Sequence, residues 1–120
     1  MRPSLIELGD VKALEGEPGE AFLATARDAT LLVEACANAG VGAALLYPEN
    51  LPGAFFDLSS GQAGEILQKL RNYHVRLAVV CAPGRVSFSS RFGEMMAEER
   101  RGREFGVFES RDAALEWLGR

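Results

Sequence analysis

The chain has 120 residues, one domain's length, and a chain of that size buries enough surface to fold without a disulfide or metal staple. Its 48% hydrophobic and 25% charged residues exclude wholesale disorder, and no apolar run is long enough to span a bilayer. The net charge of −4 has the wrong sign for a protein that lives on phosphate backbones, so neither nucleic acid nor membrane is an expected partner. Residues 1–5 lack the apolar core of a signal peptide, which makes the cytoplasm the expected location.

Two short strands come first, Ser4–Leu8 and Val11–Glu15, joined through Gly9-Asp10 as a tight hairpin. A loop follows over 15–20, with two glycines, one proline and three carboxylates. Thr25 opens the first helix with Asp28 three residues on, a capping-box pair. Ala29, Leu32, Val33 and Cys36 share one face of that helix, and Gly40 ends it. The apolar run 42–47, halted by Pro48, has the length and composition of a central parallel strand.

Residues 48–60 read as a loop that carries Phe55-Phe56. Adjacent side chains alternate on an extended segment, so at least one ring is expected in the core and the other on a helix or a subunit contact. Ser59 and Gln62 form a Ser-x-x-Gln capping box for the second helix, whose buried stripe is Ala63, Ile66, Leu67 and Leu70. Residues 75–81 make the next strand, broken in polarity only at Arg76, and Pro83-Gly84 turns it. A third helix starts near Ser89 or Ser90 and buries Phe92, Met95 and Met96. After Gly102 come a strand over 104–108 and a last helix capped by Ser110, with Ala114, Leu115, Trp117 and Leu118 inward. The order ββαβαβαβα predicts a single α/β domain over 1–120, a mixed and mostly parallel sheet with helices packed on it.

Little in the chain carries catalytic chemistry. His74 is the single histidine, and with no second ligand nearby neither a metal site nor a metal cofactor is expected. The two cysteines, Cys36 and Cys81, are too few for a disulfide framework and sit in apolar contexts. Gly61-x-x-Gly64 lies at a helix start, where close helix–sheet packing accounts for it better than phosphate binding. The loop Asp57-Leu58-Ser59-Ser60-Gly61 stands out. Ser59 and Ser60 lie at a helix N-terminus, where a phosphate would gain charge-assisted hydrogen bonds and add nearly two negative charges. The plainer account is the capping box, which explains Ser59; on the switch reading Ser59 caps the helix and Ser60 points outward as the freer acceptor.

From Leu45 onward the chain resembles a small bacterial family known as domain of unknown function 4180. The resemblance rests on Phe55-Phe56-Asp57-Leu58, Gly61, Ala63-Gly64-Glu65-Ile66-Leu67-Gln68-Lys69, Asn72-Tyr73 and Leu77-Ala78-Val79-Val80, then on Glu98, Gly102 and Ala114-Leu115. It implies no activity. The sequence departs from the family's pattern at Cys81-Ala82, where a Gly-Asp pair is usual, and at Glu99-Arg100, where Ser-Asn is usual. More distantly, Asp57, Ser59, Ser60 and Gly61 look like the Asp-Ser-Ser-Gly loop of the sulphate-transporter and anti-sigma-factor-antagonist (STAS) domain. That likeness implies a STAS-like fold and a serine phospho-acceptor.

The leading expectation is a non-enzymatic regulatory or protein-interaction domain that works through the loop and helix of 57–73 without a cofactor. Asp57, Gly61 and Tyr73 bracket that surface, and Glu65, Gln68, Lys69 and Asn72 form one polar helix face. Its partner would be another protein, and a homodimer fits the same surface. The rival expectation is a small-ligand binder or enzyme with a pocket at the carboxyl ends of the strands, where Tyr47, Cys81, Ser87 and Glu98 would converge.

Overall fold

The computed structural model describes residues 3–84, 88–99, 102 and 104–119. Five strands, β1 (Ser4–Leu8), β2 (Val11–Glu15), β3 (Ala43–Leu46), β4 (Arg76–Val80) and β5 (Phe105–Phe108), form one sheet in the order β1-β2-β3-β4-β5. The helices are α1 (Ala29–Ala39), α2 (Gln62–Asn72), α3 (Ser90–Glu99) and α4 (Arg111–Leu118). The expected element order ββαβαβαβα is therefore present, and none of these helices is long and apolar enough to cross a membrane.

The hairpin pairs Ser4 with Glu15 and Leu8 with Val11, leaving Gly9-Asp10 as a two-residue turn. From β2 onward all pairing is parallel, with Leu14 beside Ala44, Ala44 beside Leu77, and Leu77 beside Phe105. Each new strand adds to the same edge of the sheet. Right-handed crossovers in such a succession put every intervening helix on one face. That is where α1, α2 and α3 lie, covering Leu14, Ala44, Leu46, Leu77, Val79 and Phe105. α4 lies over the opposite face and covers Ala13, Ala43, Leu45, Ala78 and Val80. The two sets alternate along the strands, as the pleat requires. A sheet covered on both sides has no polar face, which explains the apolar run of β3 and that of residues 77–80 in β4.

Arg76 is the polar exception in β4, and α4 accounts for it. Its guanidinium lies 4.6 Å from the Trp117 ring centroid and donates to the Leu118 and Trp117 carbonyl oxygens at 3.0 and 3.2 Å. One side chain thus meets the unsatisfied carbonyls and negative dipole end of α4. Ser110 caps the other end of α4 as expected, accepting from the Ala113 N–H at 3.2 Å.

The alternation expected for Phe55 and Phe56 does not hold. Both rings are buried, edge to face with centroids 5.1 Å apart, because residues 53–56 form a turn and not an extended strand. Phe55 reaches Phe105 beneath it, and Phe56 packs on Phe92 of α3, so the helix-covering half of the expectation is met.

Candidate functional site

The parallel strands β2 to β5 all end at one edge of the sheet, where open α/β sheets leave a crevice between the departing loops. At that edge β2 ends with Glu15 and β3 runs into Tyr47. The Tyr47 hydroxyl donates to Glu15 Oε2 at 2.5 Å. Arg111, in the first turn of α4, donates from Nε to the same oxygen at 2.8 Å and from Nη2 to Oε1 at 3.0 Å. The two-pronged contact lowers the Glu15 carboxyl below its ordinary value despite burial, and the Tyr47 bond adds to the effect. Burial and the adjoining Glu15 push the Tyr47 phenol up to about 12. Glu15 in turn raises Arg111. The three groups form a charge-balanced unit, with its phenolic proton held between Tyr47 and Glu15.

Next to this unit, Pro48–Asn50 makes a single 3-10 turn that buries Asn50 completely. Asn50 Nδ2 donates to the carbonyls of Glu17 and Glu20 at 2.9 and 2.7 Å, and Oδ1 accepts from the Tyr47 N–H at 2.8 Å. The Asn50 carbonyl accepts from Leu23 N–H at 2.8 Å. One amide thereby ties the loop after β2 to the loop after β3. Burial of a polar group is tolerated because its donors and acceptors are used.

Between these loops and the end of β4 opens a cavity of about 700 Å³. Tyr47, Pro52, Phe56 and Val80 contribute to its wall, and the carboxylate residues Glu49 and Asp57 also line it. Its volume falls in the range of ligand pockets, and its lining is mostly apolar with a few polar groups.

Of the residues expected to converge at this edge, Tyr47 does so. Cys81 lies instead in the buried cluster under α1–α3, and Glu98 is exposed on α3; neither lines the cavity. Ser87 lies outside the described residues. The other thiol, Cys36, is buried against the Ala43 carbonyl and pushed up to about 11 by desolvation, which keeps it protonated and unreactive. Among the described residues no group of three His, Cys, Asp or Glu side chains could hold a metal ion.

The loop entering α2 is built differently from the expected capping box. Asp57 Oδ1 accepts from both the N–H and the hydroxyl of Ser59, at 3.1 and 2.7 Å, so Ser59 closes a turn on Asp57. The N-cap of α2 is Gly61, which no side chain caps, and Ser60 stands one residue before it. Ser60 Oγ accepts from the Gln62 N–H at 3.2 Å and lies 2.8 Å from the carbonyl oxygens of Ala54 and Asp57. The cause is the left-handed Gly61, whose φ of +79° stands between the serines and the helix, so that α2 starts at Gln62 and not at Ser60. Gln62 does not fold back either. Its Oε1 accepts from the Ala26 N–H at 2.9 Å and joins α2 to the start of the first helix. Gly64 is exposed with open space where its Cβ would be, so close helix–sheet packing is not its role.

Along α2, Ala63, Ile66, Leu67 and Leu70 are buried as expected. Glu65, Gln68 and Asn72 are exposed, Lys69 is half-buried, and Gln68 donates to Asn72 Oδ1 at 3.0 Å. Tyr73, just past the helix, is 58% exposed. His74 is exposed in the left-handed region.

Sequence reasoning missed Glu15, Asn50, Glu49 and Arg111. One signal was available for Arg111: a cation directly after a helix N-cap opposes the helix dipole, so something else must hold it.

The fold and this edge define an open, mostly parallel α/β domain with a ligand-sized crevice at the carboxyl ends of its strands. The chain belongs to the family described as Domain of unknown function (DUF4180), whose model matches residues 8–118. Among the curated proteins and the solved structures nothing matches it.

Proposed function

We propose that the domain is a cytoplasmic, non-enzymatic binding module that takes a small ligand in the crevice at the carboxyl ends of β3 and β4. One observation carries the reading: a cavity of about 700 Å³ lies at the edge where this architecture places ligands. Asn50 and the Glu15–Tyr47–Arg111 unit hold its walls before any ligand arrives, which limits the ordering cost of binding. Asp57 belongs both to the cavity and to the turn that leads into α2. Occupancy is thereby coupled to the surface of 57–73, where a protein partner or a second copy of the chain would read it.

The regulatory part of this reading draws on the likeness to STAS domains and on Ser59 as phospho-acceptor. Ser59 is exposed and its hydroxyl bonds to Asp57, whereas Ser60 is spent on the backbone. A phosphate on Ser59 would break that bond and repel Asp57 at the cavity. Thermal-shift screening against a metabolite library tests the binding reading, since a ligand at a hundred times its Kd stabilises by about 2.7 kcal/mol. A rise of several degrees for one chemical class, lost on Phe56→Ala at unchanged fold, is expected. No shift across a broad library overturns it.

A further inference from the structure

We propose that the outer face of α1 is an interface at which two copies of this chain pair about a two-fold axis. A surface helix ordinarily buries one stripe and shows charge on the opposite face. α1 buries Ala29, Leu32 and Cys36, yet Glu34 is the one charged residue among its eleven. Arg27 belongs to the 3-10 turn Ala26–Asp28 that leads into it. Opposite the buried stripe, Arg27, Leu31, Glu34 and Asn38 recur at intervals of four, three and four, so they share one face. All four are exposed, Leu31 to 45%. Leu31 also borders a hollow of about 450 Å³ beside the helix, walled by Pro3, Phe22 and Ala35. Leu5, 50% exposed, stands beside Leu14 on the sheet face that α1 covers. The flank thus offers apolar surface and a recess to whatever covers it.

The charges point to a second copy. Arg27 precedes Leu31 by about one helical turn, and Glu34 follows it by about one turn. Among the described residues neither has an ion-pair partner, although Arg27 borders another hollow together with Glu65. A row of cation, leucine and anion is its own complement when reversed. Two antiparallel α1 helices about a dyad at Leu31 set leucine on leucine and Arg27 of each copy against Glu34 of the other, twice by symmetry. A partner of one charge sign would meet one of these residues and oppose the other. The patch is small and each copy carries −4, so the dimer is weak and forms only at high protein concentration. The face shares no residue with the crevice or with the surface of 57–73, so it stands apart from the binding reading.

Sedimentation equilibrium of the full chain, run from micromolar to millimolar concentration, tests the pairing. A monomer–dimer equilibrium that weakens with added salt is expected. Arg27→Glu and Glu34→Arg each set like charges against one another and are expected to weaken it at least about tenfold. The double variant inverts both signs, makes the row self-complementary again and is expected to return to near the parent's affinity. Leu31→Ser is expected to weaken it about tenfold through lost apolar contact. All three positions are exposed, and an unchanged circular dichroism melt confirms that the variants fold. A parent that stays monomeric at millimolar concentration overturns the proposal. So does a dimer that ignores both single reversals, or one that folded double-reversal protein fails to restore.

Discussion

A Cβ atom on Gly16 would stand 2.4 Å from Oδ1 of Asn50 and 2.9 Å from Cδ2 of Leu46. The backbone that leaves β2 is thus pressed against the amide that organises the carboxyl edge, and no side chain fits between them. Asn50 cannot retreat, because Nδ2 and Oδ1 are both held by backbone groups. Gly16→Ala is expected to destabilise by about 1–3 kcal/mol, the usual range for overpacking a filled interior. Asn50→Ala is expected to cost at least as much, since it orphans the Tyr47 N–H and two carbonyls. Urea unfolding of the two variants measures both. A Gly16→Ala protein as stable as the parent would show that the two loops are not held together in this way.

The serine pair gives a prediction that reverses the one the sequence suggests. Ser60 receives the Gln62 N–H and lies on two carbonyls, whereas Ser59 bonds only within the exposed Asp57 turn. Ser60→Ala is expected to cost about 1 kcal/mol, the usual net worth of an intramolecular hydrogen bond, and Ser59→Ala distinctly less. Chemical denaturation of the two single variants ranks them. A larger loss for Ser59→Ala would restore the simple capping box.

These serines show where reading residues in order stops working. The buried stripe of α2, the apolar runs of β3 and β4 and the Ser110 cap follow from periodicities of two and 3.6, which are local properties. The cap at α2 failed because one glycine in the left-handed region moves the N-cap from Ser59 to Gly61, and composition does not give φ. For Phe55-Phe56 a core ring and a helix contact were legible, but alternation presumes an extended chain and did not foresee both rings buried. The edge cluster was invisible for another reason. Glu15 and Arg111 are brought together only by the parallel order of the strands and the return of α4 across the sheet. Tyr47 lines the cavity at that edge, but the carboxylates beside it come from loop positions with no periodic signature.

The Glu15–Arg111 contact makes stability depend on acid. The Glu15 carboxyl is lowered in the folded state, chiefly by the Arg111 hydrogen bonds. A lowered carboxyl stabilises the fold while the group is ionised in both states. That stability is complete above the ordinary value of 4.5 and is lost as pH falls below it toward the folded value. Glu15→Gln is therefore expected to destabilise at pH 7 and to flatten the stability profile on the acid side of 4.5. Tyr47 works in the opposite direction. Its phenol is raised from 10 to about 12, so stability is full below 10 and declines between those values, and Tyr47→Phe removes the decline. Urea midpoints measured across pH 3–11 follow both limbs. An acid limb unchanged in Glu15→Gln would mean that the pair contributes nothing in solution.

The two thiols test whether chemistry at this edge could run through cysteine. Nucleophilic attack needs a thiolate and an approach path. Cys36 is buried against the Ala43 carbonyl and pushed up to about 11, so almost none of it is ionised at pH 8. Cys81 stands at the end of β4 but lies in the cluster under α1–α3, with its backbone N–H held by the Phe108 carbonyl at 2.7 Å. The native protein is expected to show no fast-reacting thiol toward a disulfide reagent at pH 8, and two after denaturation. Reaction of the folded protein should proceed only through opening of the structure, so its rate should fall when a ligand fills the crevice and stabilises the fold. Replacing Cys81 with Ala is expected to leave ligand affinity unchanged while it destabilises through the lost packing. A fast native thiol traced to Cys81 by mass spectrometry would place a reactive group at the carboxyl edge and favour catalysis over simple binding there.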